Sequence, residues 1–212
     1  MLAEHVRVSV PELRRVLPDA LRVHGIPLGQ ADAVAEMVIW TAATSPGAFA
    51  FLRRRRTRLL WTPRPRAVIT KRHPGAIQID ARGASLLELG QPIFDAVVAE
   101  AVTVGPTEAR IHRTYGDLFL PYLAWRAAGQ TVEVTVRKTT GDEADGGAAA
   151  FEEDALVLSA VATDEPVITP PAAYLDAVRD GLLLEPQDFE FINAQFEMLR
   201  VPTSERSRSH AG

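Results

Sequence analysis

The segment TVEVTVRKT, residues 131–139, is the sequence feature that most constrains the fold. Its valines alternate with polar residues, and this two-residue period is typical of a strand with one buried face and one wet face. A second strand-like segment, ALVLSAVAT, follows at residues 155–163. The two segments predict an antiparallel hairpin, and its long acidic tip, residues 141–154, is interpreted as a solvated loop.

The N-terminal part of the chain predicts three helices. The first follows the capping box Ser9-Val10-Pro11-Glu12, and Pro18 should either kink this helix or divide it into two. The second is predicted over residues 30–43. The third is predicted to begin with Ser45 as its N-cap and Pro46 at the first helical position, where a missing N–H costs nothing.

Short strand-like segments and helix-like segments alternate through the rest of the chain. The predicted strands are residues 67–70, 76–80 and 109–114. A loop is expected between Gly83 and Gly90, and the predicted helices are residues 92–102, 118–129, 171–184 and 186–199. Helices at both ends therefore flank a mixed, mainly antiparallel sheet, and the predicted fold class is α+β.

The expected organisation is one α+β domain over residues 1–202. Apolar residues make up 47% of the chain, which is enough for a hydrophobic core. Within the domain we distinguish an N-terminal helical part, a sheet-containing part and C-terminal helices, followed by a polar tail. These parts are residues 6–62, 63–165, 166–200 and 203–212.

Composition excludes several classes of function. The chain contains no cysteine, which excludes disulfides, thiolate catalysis and cysteine-bound metals. It has neither a long apolar run nor a signal-peptide pattern, so no membrane partner is expected and the predicted location is cytoplasmic. A net charge of −4 argues against a nucleic-acid partner.

Five of the six residues from Arg53 to Arg58 are arginine. Helical geometry distributes consecutive residues around the whole helix, so this run cannot form one basic stripe. The favoured interpretation is a solvated helix with ion pairs. Contact with another subunit and binding of a ligand's phosphate or carboxylate remain alternatives.

The best candidate site is the segment His112 to Asp117, where a predicted strand ends and a predicted helix begins. Such a junction exposes N–H groups that suit an anion. The segment supplies a histidine, an arginine, a phenol and a carboxylate, and the predicted catalytic residues are His112, Tyr115 and Asp117. The alternative interpretation is a capped turn with Asp117 as the N-cap.

Three segments together resemble the N-terminal half of the malate/L-lactate dehydrogenase type 2 family. They are residues 8–56, from VSVPELRR to FLRRRR, residues 74–101, from PGAIQID to VVAEA, and ARIHRTYGD at residues 109–117. The resemblance implies a fold unlike the Rossmann fold, a dimer, and NAD(P)-dependent reduction of 2-oxo acids or cyclic imino acids.

The family's proton-handling histidines are replaced in this chain. The family has Ser-His-Gly where this sequence has Ser45-Pro46-Gly47, and that histidine acts there as an acid–base group. A second family histidine, in an Asn-x-His-x-Gly motif, has no equivalent in the segment Arg113 to Gly116, although His112 is close by. A proline ring has no proton to give, so the replacements predict that hydride-transfer chemistry is lost.

The tail VPTSERSRSHAG, residues 201–212, resembles the ending of an uncharacterised bacterial family that closes with Val-Pro-Ala-Ser/Thr-Glu-x-Ser-Arg. Thr203, Glu205, Ser207 and Arg208 carry this match. The likeness covers the whole chain in outline and implies a bacterial protein. It makes the tail a candidate binding element, with a disordered terminus as the alternative.

These observations lead to two hypotheses. The first is a divergent dehydrogenase-like protein that has lost hydride transfer and binds a small acidic metabolite or serves as a subunit of an assembly. The second is an enzyme on an oxo, imino or amino acid with relocated acid–base chemistry. The candidate substrate-binding residues are Ser45, Arg113, Ser207 and Arg208. No metal and no resident cofactor are expected, NAD(P) is implied by the resemblance alone, and the expected partner is a second copy or another subunit.

Overall fold

The structure is a computed structural model, and it describes residues 5–23, 25–59, 67–139, 155–167 and 169–199. The chain divides into two compact units: unit 1 is Met1–Thr62 with Ala173–Gly212, and unit 2 is Pro63–Ala172. The expected acidic tip at residues 141–154, the tail at residues 203–212, Ser207 and Arg208 lie outside the described residues.

Unit 1 consists mainly of helices. In chain order its elements are β1 (Val6–Val8), α1 (Val10–Val23), α2 (Leu28–Thr44), α3 (Ala48–Leu59), α6 (Ala172–Asp180), β7 (Leu182–Leu184) and α7 (Pro186–Leu199). Helix α1 packs against α2 and α7, and α3 also contacts α2 and α7. Strands β1 and β7 form a two-stranded antiparallel sheet.

Helix α1 shows why a helical pattern can tolerate an internal proline. The Glu12 N–H donates to Ser9 Oγ at 3.3 Å, which confirms that Ser9 caps the helix. The helix then continues through Pro18 to Val23 and is not divided into two. Its buried side, which includes Leu13, Leu17 and Leu21, packs into the core of unit 1, and this burial outweighs the lost hydrogen bond.

The prediction that Ser45 begins the third helix is wrong. Ser45 is the C-cap of α2, with extended backbone angles, and its N–H donates to the Thr41 carbonyl at 2.8 Å. Gly47 has a φ of 103°, in the left-handed region that glycine adopts without steric cost. Pro46 and Gly47 therefore form a turn, and α3 begins at Ala48.

The predicted helix over residues 171–184 ends early. Helix α6 stops at Asp180, because Gly181 has a φ of 84° and its Cα lies so close to β1 that an added Cβ would come within 2.9 Å of the Val8 carbonyl oxygen. Residues Leu182–Leu184 instead pair with β1. Both strands of this small sheet are absent from the sequence prediction.

Unit 2 contains a five-stranded sheet. Its elements are β2 (Val68–His73), β3 (Ala76–Asp80), α4 (Leu86–Thr103), β4 (Thr107–His112), a short 3-10 helix (Asp117–Phe119), α5 (Leu120–Ala128), β5 (Val132–Thr139) and β6 (Ala155–Ala162). The strand order is β2-β3-β4-β6-β5, and the β3–β4 pair is parallel while the other pairs are antiparallel. The predicted β5–β6 hairpin and the α+β class with a mainly antiparallel sheet are confirmed.

The expected loop between Gly83 and Gly90 is largely helix. Ser85 and Glu88 form a capping box at the start of α4, where the Ser85 N–H donates to the Glu88 carboxylate at 3.2 Å. Gly90 lies inside this helix, and a Cβ built on it would approach Leu123 Cδ1 at 2.6 Å. The glycine therefore permits close packing of α4 against α5 and does not mark a helix end.

Candidate functional site

The first candidate site lies at one edge of the sheet in unit 2. Because β3 and β4 are parallel, their carboxyl ends lie side by side, with Asp80 aligned to His112. The loops that follow lead to the first residues of α4 and of the 3-10 helix, and a bridge between Ser85 and Tyr115 joins them. The Leu86 N–H also donates to the Tyr115 carbonyl at 2.8 Å, so two helix starts are held next to each other.

A two-point ion pair connects the two strand ends. Arg113 Nε donates to Asp80 Oδ1 at 2.9 Å, and Arg113 Nη2 contacts Asp80 Oδ2. The Arg82 N–H donates to the same Oδ1 at 2.8 Å. The Arg113 guanidinium holds the pKa of Asp80 below its ordinary value, and the hydrogen bond and charge of Arg82 act in the same direction.

Both arginines have backbone conformations that non-glycine residues rarely adopt. The φ angles are 51° at Arg82 and 56° at Arg113. Left-handed residues of this kind concentrate where a fold must place a particular group. Here both place hydrogen-bond donors around one carboxylate at the strand ends.

A cavity of about 170 Å³ lies beside this edge. Its walls are Ile111, Thr114, Asp117, Lys138, Thr139, Ala155 and Leu156. The Lys138 ammonium forms an ion pair with the Asp117 carboxylate, and the Thr114 hydroxyl donates to the Ala84 carbonyl at 3.1 Å. The cavity thus offers one cation, one carboxylate and two hydroxyl groups.

The predicted catalytic residues occupy different surroundings. Asp117 lines the cavity, and it is not the N-cap, because Gly116, with a φ of 95°, precedes the 3-10 helix in that position. The Tyr115 hydroxyl oxygen is buried, whereas the cavity wall includes neither Tyr115 nor His112. His112 is half-buried and alternates along β4 with the buried Ile111. Of the three residues, the structure brings Asp117 alone to the cavity wall.

The second candidate site is a cavity of about 380 Å³ at the Ser45-Pro46-Gly47 corner of unit 1. Its walls are His5, residues 42–49, residues 182–185 and Asp188. Ser45, a predicted substrate-binding residue, therefore lies at a cavity. His5 Nε2 lies 3.0 Å from Glu185 Oε1, so an imidazole–carboxylate pair faces the corner where the sequence has Pro46.

The arginine run begins beside this cavity. Arg53 Nε donates to Asp188 Oδ1 at 2.7 Å, and Asp188 is buried. The pair joins α3 to α7 and confirms for Arg53 the interpretation that the run forms ion pairs within the chain. Arg54 is exposed.

Sequence reasoning did not find His5, Glu185 or Lys138. His5 and Glu185 are 180 positions apart, and they meet because β1 pairs with β7. Lys138 is the seventh residue of β5 and lies among polar neighbours that resemble any solvated strand face. No local motif marks these residues.

The described residues hold neither a candidate metal site nor a candidate membrane-spanning helix. They contain no group of three histidine, cysteine, aspartate or glutamate residues arranged to hold a metal ion. None of the helices in the described part of the chain is long and apolar enough to cross a membrane.

Solved structures with a similar fold were found, although no protein-family model and no curated protein matches the sequence. A dehydrogenase from Sinorhizobium meliloti superposes with a TM-score of 0.67 at 12% identity, covering 91% of this chain and 99% of that one. An E. coli protein assigned as a malate/lactate dehydrogenase gives 0.65 at 10% identity, covering 96% and 98%. Sulfolactate dehydrogenase from Methanocaldococcus jannaschii gives 0.55 at 16%, covering 94% and 70%. At these identities the likeness shows the fold, which is of the malate/lactate dehydrogenase type.

Proposed function

We propose that this protein is a divergent malate/L-lactate dehydrogenase type 2-like protein that binds a small carboxylic acid and does not transfer hydride. The observation that carries the binding proposal is the cavity of unit 2, whose wall includes Lys138, Thr114 and Thr139. A carboxylate ligand would accept from the Lys138 ammonium, while the two threonine hydroxyls donate to the Ala84 and Ala155 carbonyls.

The charge at this edge supports an acidic ligand. Lys138 lines the cavity and pairs with Asp117, and at the neighbouring strand ends Arg113 pairs with Asp80, whose pKa the charge of Arg82 also lowers. The Lys138 side chain is 65% exposed and that of Asp117 is 39% exposed, so their ion pair is weak. A ligand carboxylate can therefore replace Asp117 at Lys138 with little loss.

The size of the cavity restricts the ligand. Sites for drug-sized ligands have volumes of roughly 300 Å³ or more. A cavity of about 170 Å³ suits a short oxo, hydroxy or amino acid. The proposed function assigns no residue to the nicotinamide dinucleotide that the family resemblance implies, and none of its steps depends on that cofactor.

The proposed loss of hydride transfer rests on Pro46, which the family resemblance aligns with the proton-handling histidine and whose exposed ring carries no proton. His5 lines the same cavity and is the side chain that could take over this role. One of its two ring nitrogens, Nε2, is already in contact with the Glu185 carboxylate.

Calorimetry tests the binding proposal. We expect 2-oxobutanoate to bind, and the neutral 2-oxobutanamide to bind at least about tenfold more weakly, which corresponds to about 1.4 kcal/mol. Lys138→Met should abolish the difference between acid and amide. Arg137→Met is the matched control, because Arg137 is the neighbouring cation on β5 and pairs with Glu108. Equal binding of acid and amide by the wild type would contradict the proposal.

A second titration tests the loss of hydride transfer. We expect neither NADH nor NADPH to support turnover of a panel of 2-oxo acids, followed as loss of reduced-nicotinamide absorbance. Turnover of any acid in the panel would contradict this part of the proposal. The His5→Gln variant would then show whether His5 supplies the proton.

The second candidate function is an enzyme with relocated acid–base chemistry. Asp117 favours it, because this carboxylate lies on the cavity wall where it can exchange a proton with a bound acid. Tyr115 and His112 would then act from positions next to the cavity. If Asp117→Asn and Tyr115→Phe leave every measured activity unchanged, this function is contradicted.

We also propose that the protein forms a homodimer or is a subunit of a larger complex, as the family resemblance implies. Light scattering after size-exclusion chromatography measures the mass directly. A mass of 23.1 kDa at all concentrations would contradict the homodimer.

A further inference from the structure

The proposed function leaves the cavity of unit 1 unused. This cavity of about 380 Å³ lies within the size range of small-molecule sites. Part of its wall is apolar and is formed by Phe49, Leu182 and Leu184. The remaining wall carries hydroxyl groups, an imidazole and two carboxylates. One carboxylate is paired with an arginine and the other with the imidazole.

One part of the wall favours a cation. Asp188 is neutralised by Arg53, whose guanidinium donates to it at 2.7 Å. Glu185 has His5 as its partner, with His5 Nε2 at 3.0 Å from Glu185 Oε1. The His5 and Glu185 side chains are 50% and 47% exposed, so both remain accessible. The Glu185 carboxylate is therefore open to contact by an ammonium group.

Another part of the wall favours an anion. Helix α3 begins at Ala48, and residues Gly47, Ala48 and Phe49 at its start line the cavity. The N–H groups of a first helical turn have no acceptor within the helix and carry partial positive charge. The first turn of α3 has no acidic residue, whereas α7 has Asp188 in its own first turn. Ser45 adds a hydroxyl group on the same wall.

We propose that the unit 1 cavity binds a zwitterionic amino acid with an apolar side chain. Its ammonium group contacts Glu185, its carboxylate contacts the start of α3 and Ser45, and its side chain packs on Phe49 and Leu182. Each of these contacts uses a residue of the cavity wall. The site is independent of the carboxylic-acid site in unit 2.

Three ligands that share one hydrocarbon skeleton test this proposal by calorimetry. They are leucine, 3-methylbutylamine, which lacks the carboxylate, and 4-methylpentanoic acid, which lacks the ammonium. We expect leucine to bind at least about tenfold more tightly than either of the others. The proposal is overturned if the amine or the acid binds as tightly as leucine, or if none of the three binds.

Two variants locate the binding. Glu185→Gln keeps a side chain of the same shape without the charge, and it should lower leucine affinity by about tenfold or more. Glu190→Gln on the exposed side of α7 is the matched control and should leave the affinity unchanged. Thermal melts of both variants establish that they fold. Equal leucine affinity in both variants would overturn the assignment of Glu185.

A cross-test separates this site from the one in unit 2. Lys138→Met should weaken 2-oxobutanoate binding to the level of the amide and leave leucine binding intact, whereas Glu185→Gln should weaken leucine binding and leave 2-oxobutanoate binding intact. If Lys138→Met abolishes leucine binding, the amino acid occupies unit 2 and the present inference is overturned. If 2-oxobutanoate fails to bind while leucine binds with the expected preference, the proposed function fails alone.

Discussion

Each candidate site lies beside an arginine–aspartate pair, and the two pairs differ in exposure. In unit 1 the Asp188 side chain is 9% exposed and that of Arg53 is 34% exposed. In unit 2 the corresponding values are 18% for Asp80 and 50% for Arg113. The unit 1 pair thus connects two helices and is largely shielded from solvent. In the unit 2 pair, by contrast, half of the arginine side chain is exposed.

The difference indicates separate roles for the two arginines. Removing one partner of a buried pair leaves a charge without compensation, so Arg53 should matter chiefly for folding. The pair in unit 2 is accessible to water, which weakens its attraction, so Arg113 should contribute less to folding than Arg53 does. Four stability measurements test this contrast between the two arginines.

The largest expected effect comes from the core beneath the unit 2 site. Phe119 is fully buried at the end of the 3-10 helix that begins with Asp117. Phe119→Ala removes most of a buried aromatic ring and should lower the free energy of unfolding by about 3–5 kcal/mol. Urea denaturation followed by circular dichroism measures it. A loss below about 1 kcal/mol would show that this helix turn is not part of the core.

The next effect tests the unit 1 pair. Arg53→Met keeps the aliphatic stem and leaves the buried Asp188 carboxylate without its cation, which should lower the free energy of unfolding by about 1–3 kcal/mol. Arg54→Met, at the exposed neighbouring position, is the control and should change it by less than about 0.5 kcal/mol. Equal effects of the two substitutions would contradict a structural role specific to Arg53.

A smaller effect tests the helix start beside the unit 2 site. Ser85→Ala removes the hydroxyl of the capping box on α4, and loss of such a cap costs about 1 kcal/mol. The same denaturation measurement checks it. Because α4 begins next to Tyr115, the variant should also change the amide chemical shifts of the loop at residues 113–116. Unchanged stability together with unchanged shifts would contradict this role of Ser85.

The parts of the fold that follow from local pattern could be predicted from the sequence. The β5–β6 hairpin shows the two-residue period in adjacent segments, and α7 was predicted at residues 186–199, where it lies. The β1–β7 sheet could not be predicted, because each strand has three residues and its partner is about 175 positions away. No local pattern in the sequence marks a pairing between strands this short and this far apart.

The candidate sites likewise contain a part that one contiguous segment supplies and a part that only the folded strands bring together. The strand–helix junction at residues 112–117 is contiguous, so its position between β4 and the next helix could be predicted from the sequence. The pairing of Asp80 with Arg113 and of Lys138 with Asp117 depends on strand register, which a single sequence does not reveal. The Ser45 corner was misassigned as a helix start because Ser-Pro is common there, and Gly47 with its left-handed backbone decided the outcome.

The smallest expected effect concerns the exposed pair of unit 2 and has a pH signature. Arg113 lowers the pKa of Asp80 below the ordinary 3.8, so the pair stabilises the folded state above that pH, and this contribution is lost as pH falls through the lowered pKa. Arg113→Met should raise the pKa of Asp80 toward its ordinary value, read from its carboxyl carbon by NMR titration. It should change stability at pH 7 by less than about 1 kcal/mol, because the pair is accessible to water.

The matched substitution Arg110→Met, which removes a cation paired with Glu108, should leave the pKa of Asp80 unchanged. If Arg113→Met destabilises the protein at pH 7 as much as Arg53→Met does, the two pairs have the same structural role and the contrast between the sites fails.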